Sequence, residues 1–308
     1  MAVEFRVLGD VEVLVDGRCL DVGHARQRCV LVSLLVDVNR PVSSDQLIDR
    51  VWADEPPHKA RNALAAYISR LRQLVSEVDG VQIIRGPAGY TLQADVRTVD
   101  VYLFRDMLAR ARTAPNAVDA AGLFDAALEL WRGEPFATLD TPWSNEVRAS
   151  LEAERLAAVL DRNDAALAAG RHGELLNDLT AMQQAHPLDE RVAGQLMLAQ
   201  YRCGRQAAAL DTYRAMRERL VEELGVDPSP ALQAVQQQIL DGDPNRPVEQ
   251  PVAAPAVAPA AESVVPRRAT RLVGRDDDVR RVIAAFDDGP VVTLTGVGGV
   301  GKTRLAFE

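Results

Sequence analysis

Four basic side chains and no acidic one lie in the segment His58–Leu74, whose sequence is HKARNALAAYISRLRQL. They are Lys59, Arg61, Arg70 and Arg72. Cationic side chains at this density can bind phosphate groups, and a guanidinium group can also donate paired hydrogen bonds to a planar acceptor. Since the whole chain has a formal net charge of -9, this segment is a local exception to the charge of the protein.

A helical arrangement separates the segment into two faces. The apolar stripe consists of Leu64, Ile68, Leu71 and Val75, the opposite stripe of Lys59, Asn62, Ala66, Arg70 and Gln73, and Arg61 and Arg72 flank the apolar side. Such a helix can pack through its apolar side and present amide and guanidinium groups to base edges in a DNA major groove. No acidic residue lies one turn away along the helix. A basic face that is simply solvated is also consistent with this pattern.

A second motif with chemical content is GVGGVGKT, Gly296–Thr303, which fits GxxxxGK[ST] and follows the apolar run VVTLT. In such a loop backbone amides cradle phosphates, the lysine reaches the outer phosphates and the threonine holds Mg²⁺. The corresponding residues are Gly296, Gly298, Gly299, Gly301, Lys302 and Thr303. Because the sequence ends at Glu308 without a second acidic motif, we expect no ATP hydrolysis and no required cofactor; ATP or ADP with Mg²⁺ would bind only in a longer form.

The composition argues against metal, disulfide and membrane chemistry. The cysteines Cys19, Cys29 and Cys203 form no CxxC pair, so we interpret them as reduced core thiols. The histidines show no metal-ligand spacing. No segment approaches the about 18 uninterrupted apolar residues of a membrane span, and the start MAVEFRVLGD lacks the features of a signal peptide. We therefore expect a cytoplasmic protein of several domains, without metal or membrane contact.

The elements that would position the basic helix can be predicted from hydrophobic spacing. Residues 3–22 alternate apolar with polar side chains around Gly-Asp and Asp-Gly turns, which predicts a small antiparallel sheet. Helical spacing follows from Ala25 to Val38. The segment SSDQLIDRVW predicts a second helix, capped by Ser43 or Ser44 with Asp45 in its first turn. After the basic helix, VQIIRGPAGYTLQ predicts a hairpin that carries Arg85.

The rest of the chain changes in composition twice. Residues 98–240 have helical spacing throughout and predict about seven helices. Within them Ala165, Gly170, Arg171, Ala181 and Met182 recur 34 positions later as Ala199, Gly204, Arg205, Ala215 and Met216, the period of tetratricopeptide helix pairs. Residues 241–270 are rich in proline and alanine and predict a linker. Residues 271–308 predict the truncated start of an α/β P-loop domain. The expected fold is mainly α, with a small α+β domain first.

These motifs, in this order, resemble the Streptomyces antibiotic regulatory protein family. Residues 1–95 resemble an OmpR-type winged helix-turn-helix, with YISRLR in the recognition helix, IIRGPAGY in the wing and a PP pair before the helix. Residues 98–240 resemble the bacterial transcriptional activator domain, which is all-α and tetratricopeptide-like. Larger members continue into a P-loop signalling ATPase of the NB-ARC/STAND type, which matches residues 271–308. The resemblance implies a transcriptional activator, not an enzyme, that regulates secondary metabolism.

The resemblance also assigns roles to single residues. The positions that face DNA in OmpR-type domains match Asn62, Tyr67, Ser69, Arg70 and Arg72, and the wing position matching Arg85 reaches the minor groove. We expect Arg70 to contact a base, and Lys59, Arg61 and Arg72 to contact phosphates. For Tyr67 a partly buried core position is an equal alternative.

The partners implied by the resemblance are double-stranded promoter DNA with direct repeats, RNA polymerase with its sigma factor, and a second copy of the chain on DNA. Asp54 and Glu55, in the loop ADEPPH before the basic helix, are the candidates for the polymerase contact. Capping of the basic helix is the alternative role for these two acids. Two other functions are consistent with the sequence: a helical-repeat scaffold that binds a protein, and a fragment of a P-loop ATPase.

Overall fold

The first three strands form a small sheet at the start of the chain. In the computed structural model, which describes residues 2–76 and 78–242, they are β1 (Val3–Arg6), β2 (Glu12–Val15) and β3 (Arg18–Leu20). The sheet is antiparallel in the order β1-β2-β3, with Val3 opposite Val15 and Val15 opposite Arg18. Asp16 and Gly17 both have positive φ, of 49° and 79°, as a two-residue hairpin turn requires. The Asp-Gly signal in the sequence is therefore confirmed.

Three helices and a hairpin follow in the predicted order. They are α1 (Ala25–Val36), α2 (Ser44–Trp52), α3 (Ala60–Val75), β4 (Gln82–Gly86) and β5 (Gly89–Gln93), with β4 and β5 paired antiparallel. The N-cap of α2 is Ser43, whose hydroxyl accepts a bond from the Gln46 amide while the Gln46 side chain accepts one from the Ser43 amide. This reciprocal capping decides between the two serines that the sequence left open.

Helix α1 ends two residues before the predicted Val38 because Asn39 makes tertiary contacts there. Asn39 has a φ of 63°, and its backbone amide donates to the carbonyl of Leu92 in β5 at 2.9 Å. Its side chain donates to the carbonyl of Ala94 and accepts from the Ala94 amide. Asn39 therefore turns the chain and ties it to the end of the hairpin.

Seven α-helices occupy the described residues after the hairpin, which confirms the expected number. They are α4 (Asp100–Arg112), α5 (Ala117–Leu128), α6 (Pro142–Ala168), α7 (His172–Ala185), α8 (Glu190–Arg202), α9 (Gln206–Leu224) and α10 (Pro230–Asp241), preceded by a 3₁₀ turn at Val96–Thr98. Two predicted parts of the chain lie outside the described residues. They are the linker at residues 241–270 beyond Gly242, and residues 271–308, which contain the motif Gly296–Thr303.

The 34-residue repeat corresponds to two equivalent turns between helices. Gly170, between α6 and α7, and Gly204, between α8 and α9, have φ values of 82° and 76°. In the first turn the Arg171 amide donates to the carbonyl of Ala166 at 2.9 Å, and in the second the Arg205 amide donates to that of Gln200 at 2.9 Å. The same turn thus joins the helices of each pair, as the repeat predicts.

One hydrophobic core continues from the N-terminal sheet into the helices. It includes the fully buried rings of Phe5 in β1 and Phe104 in α4, and extends to Ala158 in α6. A polar contact crosses the same region. The backbone amides of Val7 and Leu8 donate to the carboxylate of Asp100 at 2.9–3.0 Å, and Arg132 donates to it at 3.0 Å. Burial raises the pKa of Asp100, although these donors act to lower it.

The three cysteines differ in exposure, so the expectation of three core thiols is wrong for one of them. Cys29 is buried, Cys203 is half-buried and Cys19 is exposed on β3, and none of them forms a disulfide. Burial raises the pKa of the Cys29 thiol to about 11, so this thiol stays protonated. The described residues contain no group of three His, Cys, Asp or Glu side chains that could hold a metal ion. None of their helices is long and apolar enough to cross a membrane.

Candidate nucleic-acid interface

Helix α3 buries the stripe that the sequence predicted and exposes the opposite face. Leu64, Ile68, Leu71 and Val75 are buried against the core. The exposed side chains on the other side are Arg61, Asn62, Ser69, Arg70, Arg72 and Gln73, with Lys59 at the N-cap. The amphipathic pattern is therefore confirmed. The apolar stripe packs α3 on α1 and α2, so the polar face points outward.

The acids of the loop before α3 do not cap that helix. The N-cap residue Lys59 makes no side-chain capping bond, and the first turn of α3 has no acidic residue. Asp54 and Glu55 are exposed. Among the described residues, no donor bonds to either carboxylate. The capping role is therefore wrong, and both carboxylates are accessible at the surface.

Tyr67 packs toward the core side of α3. Its ring stacks on Trp52 of α2 with centroids 6.0 Å apart, and it meets the ring of His24 edge-on at 5.0 Å. The side chain is half-buried against the main core. These contacts support the interpretation of Tyr67 as a core aromatic.

Replacing Tyr67 by alanine should lower the free energy of unfolding by about 2–3 kcal/mol, because two ring contacts and a half-buried side chain are lost. Replacing it by phenylalanine keeps the ring and should change stability and DNA affinity by less than about 0.5 kcal/mol. Urea unfolding and anisotropy titrations measure the two quantities. Ser69→Ala, an exposed change on the same helix, is the stability control. A Tyr67→Phe protein that folds normally but binds DNA weakly would show that the phenol contacts DNA.

Arg61 has an acidic partner that lies on another helix. Its guanidinium is 3.0 Å from the carboxylate of Asp45, in the first turn of α2. Both side chains are more than three-quarters exposed, at 76% and 78%, so the pair contributes less than about 1 kcal/mol to stability. The sequence showed the absence of acids along α3 and did not reveal this pair, because it forms between helices.

The side chains of Arg70 and Lys59 make no hydrogen bond or ion pair with any residue that the structure describes. Arg70 projects from the middle of the exposed face, and Lys59 lies at the N-terminus of α3. Since neither cation has to leave a protein partner, both are available for a ligand. Asn62 and Ser69 are exposed beside them, and their side chains have no hydrogen-bond partner among the described residues either.

Arg72 and Arg85 both contact Tyr90 in the hairpin of β4 and β5, residues 82–93, which we call the wing. The Nε–H of Arg72 donates to the carbonyl of Ile83 at 2.7 Å. The guanidinium of Arg72 lies 5.9 Å from the centre of the Tyr90 ring, and that of Arg85 lies 5.7 Å from it. Arg72 is thus engaged with the wing, whereas sequence reasoning assigned it to phosphate.

The wing is also bound to the segment before α2. The amide of Val42 donates to the carbonyl of Tyr90 at 2.8 Å, and the amide of Tyr90 donates to that of Val42 at 2.9 Å. Gly89 beside it has a φ of +134° and lies so close to Val42 that an added Cβ would be 2.1 Å from the Val42 carbonyl oxygen. Sequence reasoning found the RGPAGY turn but not these partners.

The comparisons with known proteins cover the same two regions. Residues 23–92 match the family described as transcriptional regulatory protein, C terminal, and residues 99–240 match the bacterial transcriptional activator domain. The chain is 37% identical over 317 residues to the regulatory protein AfsR of Streptomyces griseus, covering 100% of this chain and 32% of that protein. It therefore spans about a third of that relative.

Two further relatives are covered over more of their length. The regulatory protein DnrI of Streptomyces peucetius is 31% identical over 255 residues, which are 79% of this chain and 93% of DnrI. The solved structure of Mycobacterium tuberculosis EmbR in complex with a low-affinity phosphopeptide superimposes with a TM-score of 0.72 at 31% identity, covering 78% of this chain and 65% of EmbR. The similarity thus includes both the winged-helix region and the helices that follow it.

Proposed function

The chain belongs to the Streptomyces antibiotic regulatory protein family of transcriptional activators, and we propose that it binds direct repeats in promoter DNA and recruits RNA polymerase. The observation that carries the proposal is the exposed face of α3. It presents Arg70 without a protein partner, beside a wing that carries Arg85. A helix that packs through one side and offers free donors on the other is suited to the major groove.

The proposed contacts divide into those that read bases and those that bind phosphates. Arg70 donates to a base edge in the major groove, with Asn62 and Ser69 beside it. Lys59 and Arg61 bind phosphates, which set affinity and its salt dependence and leave sequence choice to the bases. Arg85 enters the neighbouring minor groove from the wing. The overall acidity of the chain does not oppose this, because the local potential decides where DNA binds.

The acidic loop before α3 is the proposed contact with RNA polymerase. Asp54 and Glu55 are exposed and have no capping role in α3, so they are available to a basic surface such as that of a sigma factor. Two copies of the chain would bind in tandem, each on one repeat, with repeats about one helical turn apart. The proposal also includes regulation of secondary metabolism in the cytoplasm. Nucleotide binding at Gly296–Thr303 is proposed for a longer form.

Replacing Arg70 by alanine should reduce affinity for a selected direct-repeat duplex by about 1–3 kcal/mol and abolish the preference at one base position. Fluorescence anisotropy at several salt concentrations measures both effects. Lys59→Ala is the matched control: it should weaken binding to all duplexes alike and lower the slope of log K against log salt by about 0.9. If wild-type protein prefers no duplex, the basic face is only solvated, and a helical-repeat scaffold replaces the activator proposal.

A further inference from the structure

We propose that Arg72 is a positioning residue that fastens the wing to α3, so that Arg70 and Arg85 reach DNA at a fixed spacing. The inference rests on the proposed DNA-binding function and gives Arg72 a role other than the phosphate contact that the family resemblance implies. It concerns how the two reading elements are held together before DNA arrives. The main evidence for it is the direct hydrogen bond from the Arg72 guanidinium to the backbone of β4.

The bond from Arg72 to the wing is short and directional. The Nε–H donates to the carbonyl of Ile83 at 2.7 Å, in a partly buried position, where a charged donor makes a stronger bond than a neutral one. The Ile83 side chain is itself buried, at 5% exposure. Packing of β4 on α3 therefore brings the two elements together, and the bond fixes their orientation.

Tyr90 extends this contact to a third element. Its side chain is 6% exposed, and the guanidinium groups of Arg72 and Arg85 both lie within 6 Å of its ring centre, at 5.9 and 5.7 Å, a distance at which cation–π attraction acts. Its backbone exchanges two hydrogen bonds with Val42, just before α2. One tyrosine thus joins the segment before α2, helix α3 through Arg72, and the wing.

The difference between Arg70 and Arg72 supports a division of roles on the same helix. Arg70 has no partner among the described residues, so its donors are free for a base. Arg72 has already used its Nε–H on the wing. Arg72 is still exposed, so the test has to separate positioning from a phosphate contact.

The first experiment measures hydrogen exchange of wing amides in the full chain without DNA. Arg72→Ala should speed exchange in residues 82–93 about tenfold, since a hydrogen bond from a charged group is lost. Lys59→Ala should leave the wing unchanged, and neither variant should affect exchange in α6 or α8. Unchanged wing exchange in Arg72→Ala overturns the proposal, whether or not the protein binds DNA.

Arg72→Gln tests the hydrogen bond to Ile83 separately from the positive charge of the guanidinium. Glutamine places its amide nitrogen the same number of bonds from the backbone as arginine Nε, so it can donate to Ile83 without carrying a charge. A positioning role predicts that Arg72→Gln keeps most of the wing protection that Arg72→Ala loses. If glutamine and alanine give the same loss, the bond to Ile83 is not what holds the wing, and the proposal fails.

The second experiment uses anisotropy with duplexes that differ either in the bases read by α3 or in the flank beneath the wing. Arg72→Ala should lose preference for the wing flank, keep preference for the bases facing Arg70, and keep the salt slope. A salt slope lowered by about 0.9, as for a phosphate contact, with both preferences intact, overturns the proposal. If wild-type protein has no preference at all, the DNA-binding function fails, and the exchange result alone decides whether Arg72 fastens the wing.

Discussion

Replacing Gly89 by alanine is expected to lower the free energy of unfolding by about 3–5 kcal/mol, the sum of backbone strain and lost hydrogen bonds. The added Cβ would lie 2.1 Å from the carbonyl oxygen of Val42 and 2.7 Å from the Cα of Ser43. These are backbone atoms, which cannot rotate away. In addition, the φ of +134° is one that alanine rarely adopts. Relief requires the wing to move, which breaks the paired bonds between Val42 and Tyr90.

Gly86→Ala is the matched control, since Gly86 pairs with Gly89 across the hairpin. A Cβ at Gly86 meets no atom within 4 Å, so this variant should stay within about 1 kcal/mol of wild type. Thermal unfolding should show Gly89→Ala melting about 10 °C lower, and Gly86→Ala almost unchanged. Equal losses in both variants would mean that flexibility of the turn matters, and that the close approach to Val42 does not.

The parts of the fold and site that the sequence predicted are those determined by local spacing. The apolar stripe of α3 is visible because Leu64, Ile68, Leu71 and Val75 recur at helical spacing, and this also predicted which face is exposed. The Asp16-Gly17 turn and the helix-pair turns at Gly170 and Gly204 follow from the φ values that these residues favour. Each of these signals lies within one element or one turn.

The contacts that the sequence did not reveal join residues of different elements. Arg72 looked like other basic residues of α3, because its acceptor is a backbone carbonyl of Ile83 and any residue at that position supplies one. The partner of Arg61, Asp45, lies on another helix. Asp100 was assigned no role, because its donors Val7 and Leu8 are more than 90 positions away. The spacing of apolar residues predicts which face of a helix is buried. The partner of a polar side chain depends on how the elements pack against each other.

Replacing Asp100 by alanine should lower the free energy of unfolding by about 3–5 kcal/mol, as for removal of one member of a buried charged network. The carboxylate side chain is 6% exposed and accepts from the amides of Val7 and Leu8 and from Arg132. Burial raises the pKa of Asp100, because a carboxylate that is removed from water loses hydration. Removing the acceptor does not return that cost, because the two buried amides then lack their partner.

Glu154→Ala is the comparison that isolates burial for the Asp100 prediction. Glu154 accepts two hydrogen bonds from Arg105 at 2.8 and 2.7 Å, but the two side chains are 33% and 42% exposed, so its loss should change stability by less than about 1 kcal/mol. Urea unfolding of both variants measures the difference. If Asp100→Ala unfolds no more easily than Glu154→Ala, water satisfies the freed amides, and Asp100 is not what holds the segment after β1 to α4. If it does unfold more easily, the buried carboxylate stabilises the junction between β1 and α4 beyond what the neighbouring backbone bonds from Arg132 to Leu8 and from Phe136 to Gly9 provide.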